Sequence, residues 1–234
     1  MIIKLSKQIT LAFLLLGVIS CSPLAEYKKN TPKPRWSKEI AEFEKLDKEE
    51  SYSKDAILFT GSSSIRKWTT IKEDILPYEA ISRGFGGSKI EELAYYFDRI
   101  VYPHQFKALV IFIGTNNLTG KPTDSKPEDM LKYAKYIKKK VRAKYSKTPV
   151  FWIAITPTNA RISAWPQVQK ANQLIKDMCV KSSNFHFIET DTAYLGADGK
   201  PIKNLFVSDQ IHLNAEGYAI WNKIIKKELD TYLK

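Results

Sequence analysis

The chain is poor in cysteine: 234 residues hold two, Cys21 and Cys179, far apart. That excludes a disulfide framework and a four-thiolate zinc site. With 10 glycines and 11 prolines it also lacks the composition of collagen or of low-complexity tracts. Nor is it short of apolar side chains, since 44% hydrophobic and 12% aromatic residues offer enough buried surface to offset chain entropy, which excludes disorder. No internal repeat is present, and the length suits one medium domain. Acids are scarce relative to bases, 25 against 37, for a formal charge of +12. Much of that excess falls on Lys132, Lys135, Lys138, Lys139, Lys140, Arg142 and Lys144, which fit the solvated side of one helix, so no nucleic-acid partner is expected. The apolar run from Ile9 to Ser20 is about a dozen residues, too short to cross roughly 30 Å of hydrocarbon comfortably.

That run follows Lys4 and Lys7, the layout of a secretory signal. It ends in Val18-Ile19-Ser20-Cys21, which resembles a bacterial lipobox. The resemblance implies that residues 1–20 are a lipoprotein signal peptide and that Cys21 is lipidated, so that the mature chain is tethered to a membrane yet otherwise soluble. Ser22 in the next position favours the outer membrane if the source is Gram-negative. The expected location is the cell envelope, with the domain facing the periplasm or the exterior. Removing residues 1–20 takes away two lysines and no acids, so the basic excess belongs to the domain. Residues 21–36 contain three prolines and no apolar period and read as the lipidated cysteine and a flexible tether, with the folded domain at 37–234.

Within the domain, five short apolar runs read as strands: Ala56–Thr60, Ala80–Ser82, Ala108–Gly114, Val150–Thr156 and Phe185–Glu189. Helical periods lie between them, at Leu131, Ala134, Ile137, Val141 and Tyr145, and at Val168, Ala171, Ile175 and Met178. Apolar strands alternating with helices predict a parallel sheet covered on both faces, an α/β domain whose ligands bind beyond the carboxyl ends of the strands. A last helix is predicted after Asn214 as N-cap, with Tyr218, Trp221, Ile225, Leu229 and Tyr232 facing inward.

The strand ends carry the chemistry. The first leads into Gly61-Ser62-Ser63-Ser64, where glycine permits a tight turn and a serine can be either a helix cap or a nucleophile. The second leads into Gly84-Phe85-Gly86-Gly87, which matches neither dinucleotide nor phosphate-loop spacing. The third ends in Gly114-Thr115-Asn116-Asn117, where an amide can make an Asx turn or donate to an oxyanion. Near the C-terminus, Asp209 and His212 stand three apart, close enough for the carboxylate to hold an imidazole tautomer.

In order and spacing, these four sites resemble the SGNH hydrolases, also called the GDSL lipases and esterases, over about residues 57–218. The resemblance implies a three-layer α/β/α sandwich on a flavodoxin-like, five-stranded parallel sheet. It implies Ser63 as nucleophile, His212 as base, Asp209 as its orienting partner, and an oxyanion hole made of the Ser63 N–H, the Gly87 N–H and the Asn116 side chain. It requires no metal and no cofactor. Three positions depart from the family pattern: Ser62 for the usual Asp, Asn117 where Asp is common, and Leu213 where Pro is frequent. The first leaves Ser62 and Ser64 as rivals to Ser63.

The expected substrate is a small acyl ester, including acetyl groups on a glycan or lipid, because no long apolar lid segment marks a true lipase. Arg161 and Trp165, after the fourth strand, are candidate substrate contacts, Arg for an anionic group and Trp for a sugar face. A non-catalytic envelope lipoprotein that binds acidic glycans or lipid head groups through its basic surface is the alternative, and a flavin-binding domain is a weaker one. A monomer is expected. Cys179 reads as buried packing, and His104 and His186 as structural.

Overall fold

The computed structural model describes residues 22–30 and 35–233. Five parallel strands form one sheet: β1 (Ile57–Gly61), β2 (Ala80–Gly84), β3 (Ala108–Phe112), β4 (Val150–Ile153) and β5 (Phe185–Ile188), in the order β2-β1-β3-β4-β5. Alternate residues of a strand point to opposite faces, and both faces are apolar here. Leu58 joins a core with Ile81, Leu109, Ile111 and Trp152, while Ile57 and Phe59 join a second core with Val110, Phe112 and Phe151.

The first core is covered by α2 (Ser37–Glu49), α5 (Ile90–Ile100), α6 (Pro127–Lys144) and α7 (Trp165–Val180). The second is covered by the short α3 (Ser63–Arg66) and α4 (Ile71–Asp74) and by α8 (Ala215–Tyr232). Helices on both sides of a parallel sheet give the three-layer α/β/α sandwich the alternating pattern predicts. The sequence periods land as expected: Ala134, Ile137, Val141, Val168, Ala171 and Ile175 are all buried. Asn214 caps α8 by accepting from the Gly217 N–H at 3.0 Å. Tyr232 departs from its expected inward position; it is 50% exposed and lies over the His186 ring, 3.8 Å between centroids.

Register levels the carboxyl ends of the three strands that matter most. Gly61 of β1 sits opposite Gly84 of β2 and Phe112 of β3, so the segments after all three begin at one height. β3 and β4 stop earlier than their apolar runs, at Phe112 and Ile153, because the chain leaves the ladder while still buried, as Ile113 and Ile155 show.

The tether expectation needs correction over the described part of 21–36; Cys21 and the signal segment lie outside the described residues. Pro23–Asn30 forms a helix, α1, on α5 and α6. Proline suits the first turn of a helix, where its missing N–H has no partner to lose. Leu24 and Tyr27, one turn apart, supply a narrow apolar face. Leu24 is buried, Tyr27 meets the Tyr95 ring edge-on at 5.8 Å, and Tyr133 donates its hydroxyl to the Pro23 carbonyl at 3.2 Å.

Candidate active site

The turn after β1 places the first group. Gly61 has φ of +134°, and a Cβ there would overlap the Phe112 carbonyl oxygen, so only glycine lets the chain turn this close to β3. Beyond it the three adjacent serines separate. Ser62 is buried and donates its N–H to the Phe112 carbonyl at 3.0 Å. Ser64 is also buried, and its carbonyl accepts from the Tyr218 hydroxyl of α8 at 2.8 Å. Ser63 alone reaches a base: its Oγ lies 2.8 Å from His212 Nε2.

His212 is only 17% exposed along its side chain, and its Nδ1 lies 2.6 Å from Asp209 Oδ2. A carboxylate only accepts, so Nδ1 carries the proton and donates it to Asp209, which leaves the Nε2 lone pair facing the Ser63 hydroxyl. Asp209 is fixed in turn, because its Oδ1 accepts from the backbone N–H groups of Ile211 and His212, each at 2.9 Å. Burial raises the Asp209 pKa, but these N–H donors and the imidazole outweigh it and bring the pKa down to about 2. The turn is closed by Gln210 at φ of +55°.

The segment after β2 supplies Gly87, at φ of +74°, and among the described residues its N–H donates no hydrogen bond. Ser88, fully buried, ties three strand ends together. Its hydroxyl lies 3.3 Å from the Gly61 carbonyl and 2.9 Å from that of Phe85, and its own carbonyl accepts from Asn116 Nδ2 at 3.1 Å. Asn117 faces away from this cluster. Its Oδ1 accepts the Ile90 N–H that opens α5, and its Nδ2 donates to Glu91 at 2.8 Å and to Ser125 at 3.0 Å. An amide suits this place better than a carboxylate, which would oppose Glu91.

Arg161 and Trp165 differ from expectation. Arg161 turns inward to the Thr115 carbonyl and to Asn116 Oδ1 rather than standing free as an anion contact. Trp165 packs on the core beside the mouth of a small cavity shared with Thr115, Pro157 and Arg161. Sequence reasoning missed Ser88, since a serine after a glycine run has no distinguishing spacing. It also missed Arg35 and Trp36, which lie in the proline-rich stretch that reads as a tether. Arg35 donates to the Gly87 carbonyl at 3.0 Å and pairs with Glu92 at 3.5 Å, while Trp36 lies beside Gly87 and meets Phe85 edge-on at 6.1 Å. The available signal was a tryptophan in a proline-rich stretch, an aromatic with too much apolar surface to leave in water.

Among the described residues, no group of three or more His, Cys, Asp or Glu is placed to hold a metal ion, and no helix is long and apolar enough to cross a membrane. Cys179 is buried, which pushes its thiol up to about 12. His186 is stacked on Phe151 at 4.9 Å, and His104 is buried beside Asp47.

Residues 53–220, more than half of the chain, match the model of the GDSL-like lipase/acylhydrolase family. A search of curated proteins finds no match. Among solved structures, the chain is similar to a Streptococcus pneumonia protein provisionally assigned as a platelet activating factor, with TM-score 0.73 and 20% identity over 90% of this chain and 98% of that one. It is similar to a GDSL-like lipase from Bacteroides thetaiotaomicron, at 0.67 and 17% over 83% and 100%. It is also similar to a catalytic variant of an acetylxylan esterase from Geobacillus stearothermophilus, at 0.64 and 11% over 76% and 95%. At these identities the likeness is one of fold.

Proposed function

The chain belongs to the GDSL-like lipase/acylhydrolase family and is a carboxylic ester hydrolase, and from that premise we propose that it cleaves small acyl esters with Ser63, His212 and Asp209. The observation that carries this reading is the unbroken relay from Ser63 Oγ through the imidazole to Asp209, at 2.8 and 2.6 Å. Ser63 Oγ attacks the ester carbonyl carbon while its proton passes to His212 Nε2. The carbonyl oxygen, now negative, is met by the Ser63 and Gly87 N–H groups and by Asn116 Nδ2. His212 then protonates the leaving alcohol, the acyl group stays on Ser63, and a water deprotonated by His212 releases it as the acid. Asp209 stays ionised throughout, holding the imidazole and balancing its transient charge.

The substrate in this reading carries a short acyl group such as acetyl on a glycan or lipid. The chain acts at the cell envelope, tethered through acylated Cys21. What supports the location is the basic, apolar, cysteine-terminated start of the sequence. A fluorophosphonate probe that labels the wild type but not Ser63→Ala, together with hydrolysis of p-nitrophenyl acetate that Ser63→Ala abolishes, tests the chemistry. Absence of labelling on folded wild type would favour a binding protein of the same fold. Faster turnover of acetyl than of octanoyl esters tests the acyl length. Release of Cys21→Ser from the membrane fraction tests the anchor.

A further inference from the structure

Asn116 is held at both ends of its amide. Nδ2 donates one hydrogen to the Ser88 carbonyl at 3.1 Å, and Oδ1 accepts from both terminal nitrogens of Arg161, each at 3.3 Å. The same guanidinium donates to the carbonyl of Thr115, the residue before Asn116. A guanidinium has donors only, so Oδ1 must face it. An inverted amide would set NH₂ against those donors and an oxygen against the Ser88 carbonyl. The orientation is therefore fixed without any ligand, with the second Nδ2 hydrogen left over.

From this geometry we propose that Arg161 is a positioning residue for ester hydrolysis, which orients and polarises Asn116 so that its free N–H meets the oxyanion. The proposal rests on the reading of Asn116 given above. A positive charge on Oδ1 draws electron density from the amide and strengthens its N–H as a donor, and the half-buried position of Arg161 weakens solvent screening. Burial lowers the pKa of Arg161, while Asp124 and Asp209 favour its charged form. The adjoining residues reach the other half of the site: Ala160 donates its N–H to the Gln210 carbonyl at 3.3 Å, and Asn159 Nδ2 donates to Gln210 Oε1 at 2.9 Å. Three consecutive residues thus set the distance between the oxyanion donor and the turn that carries Asp209 and His212.

The test is steady-state hydrolysis of p-nitrophenyl acetate by the full domain and its variants. Arg161→Ala is expected to lower kcat by about tenfold or more, part of the hundredfold that follows loss of one oxyanion donor, with KM little changed. Guanidinium ion at millimolar concentration should restore part of that kcat. In an Asn116→Ala background the Arg161→Ala change should add almost nothing, since both act through one hydrogen bond. Arg161→Lys, which keeps the charge, covers the case in which the alanine variant does not fold, and should fall between wild type and Asn116→Ala in kcat. A rise in KM with kcat unchanged would overturn the proposal and make Arg161 a substrate contact. Losses that multiply in the double variant would overturn it as well. If Ser63→Ala kept full hydrolysis, the underlying reading would fail instead, so the two failures are distinguishable.

Discussion

Among the described residues two histidine–aspartate pairs stand out, and they have opposite surroundings. His212 and Asp209 lie on a turn past the sheet's carboxyl end, with the carboxylate 41% exposed and a serine hydroxyl on the free imidazole nitrogen. His104 and Asp47 lie between α2 and the β2 edge, 4% and 11% exposed, with Arg83 as the third partner. There Asp47 Oδ1 accepts from Arg83 Nε at 3.2 Å and from Nη2, and Arg83 Nη2 also donates to the Tyr52 hydroxyl. His104 Nε2 sits 3.4 Å from the same oxygen without forming a hydrogen bond. Burial pushes the His104 pKa down; Asp47 opposes this, and Arg83 and Lys144 add to it. The residue types are the same, but the third partner and the access of water decide the use. A hydroxyl and an open side suit proton transfer, whereas a guanidinium and a closed side suit bracing α2 against the sheet.

The contrast can be broken most sharply at the serine. Ser63→Ala should lower p-nitrophenyl acetate turnover by about 10³-fold or more, with the melting temperature almost unmoved. Asp209→Asn should cost on the order of 10²- to 10³-fold in kcat, because the imidazole loses its fixed tautomer. Asp47→Asn should behave in the opposite way, losing about 3 kcal/mol of stability in urea unfolding because Arg83 is left buried without its anion, while kcat per folded molecule holds. Equal loss of kcat in the Asp47 and Asp209 variants would erase the distinction. The smallest effect concerns pH. The folded pKa of His104 lies below its ordinary 6.5, so the unfolded chain takes up more protons in acid. Stability should therefore be full above 6.5 and decline below it, and His104→Gln should flatten that slope in urea midpoints taken between pH 8 and 5. Asp209 acts later on the same axis. Its contribution is present above 3.8 and is lost as pH falls toward about 2.

The two pairs also differ in how readable they were. Asp209 and His212 stand three apart before a capped helix, a local pattern whose geometry follows from one turn. Asp47, Arg83 and His104 lie on a helix, a strand and a loop, the first two 36 positions apart, and no spacing announces such a contact. The sheet was legible because its strands are apolar on both faces and alternate with helical periods. Arg161 was legible as a residue near the site but not as the partner of Asn116, since a side chain on a connecting segment has no period to orient it. Arg35 and Trp36 were hidden by their proline-rich neighbours, whose composition argued for a tether.

The serine and its base stand 149 positions apart, and Tyr218 of the last helix holds the carbonyl of Ser64 across 154. The nucleophile and its base are therefore joined by tertiary packing and not by local sequence. A chain that stops short of residue 212 keeps Ser63 but lacks the imidazole that would take its proton.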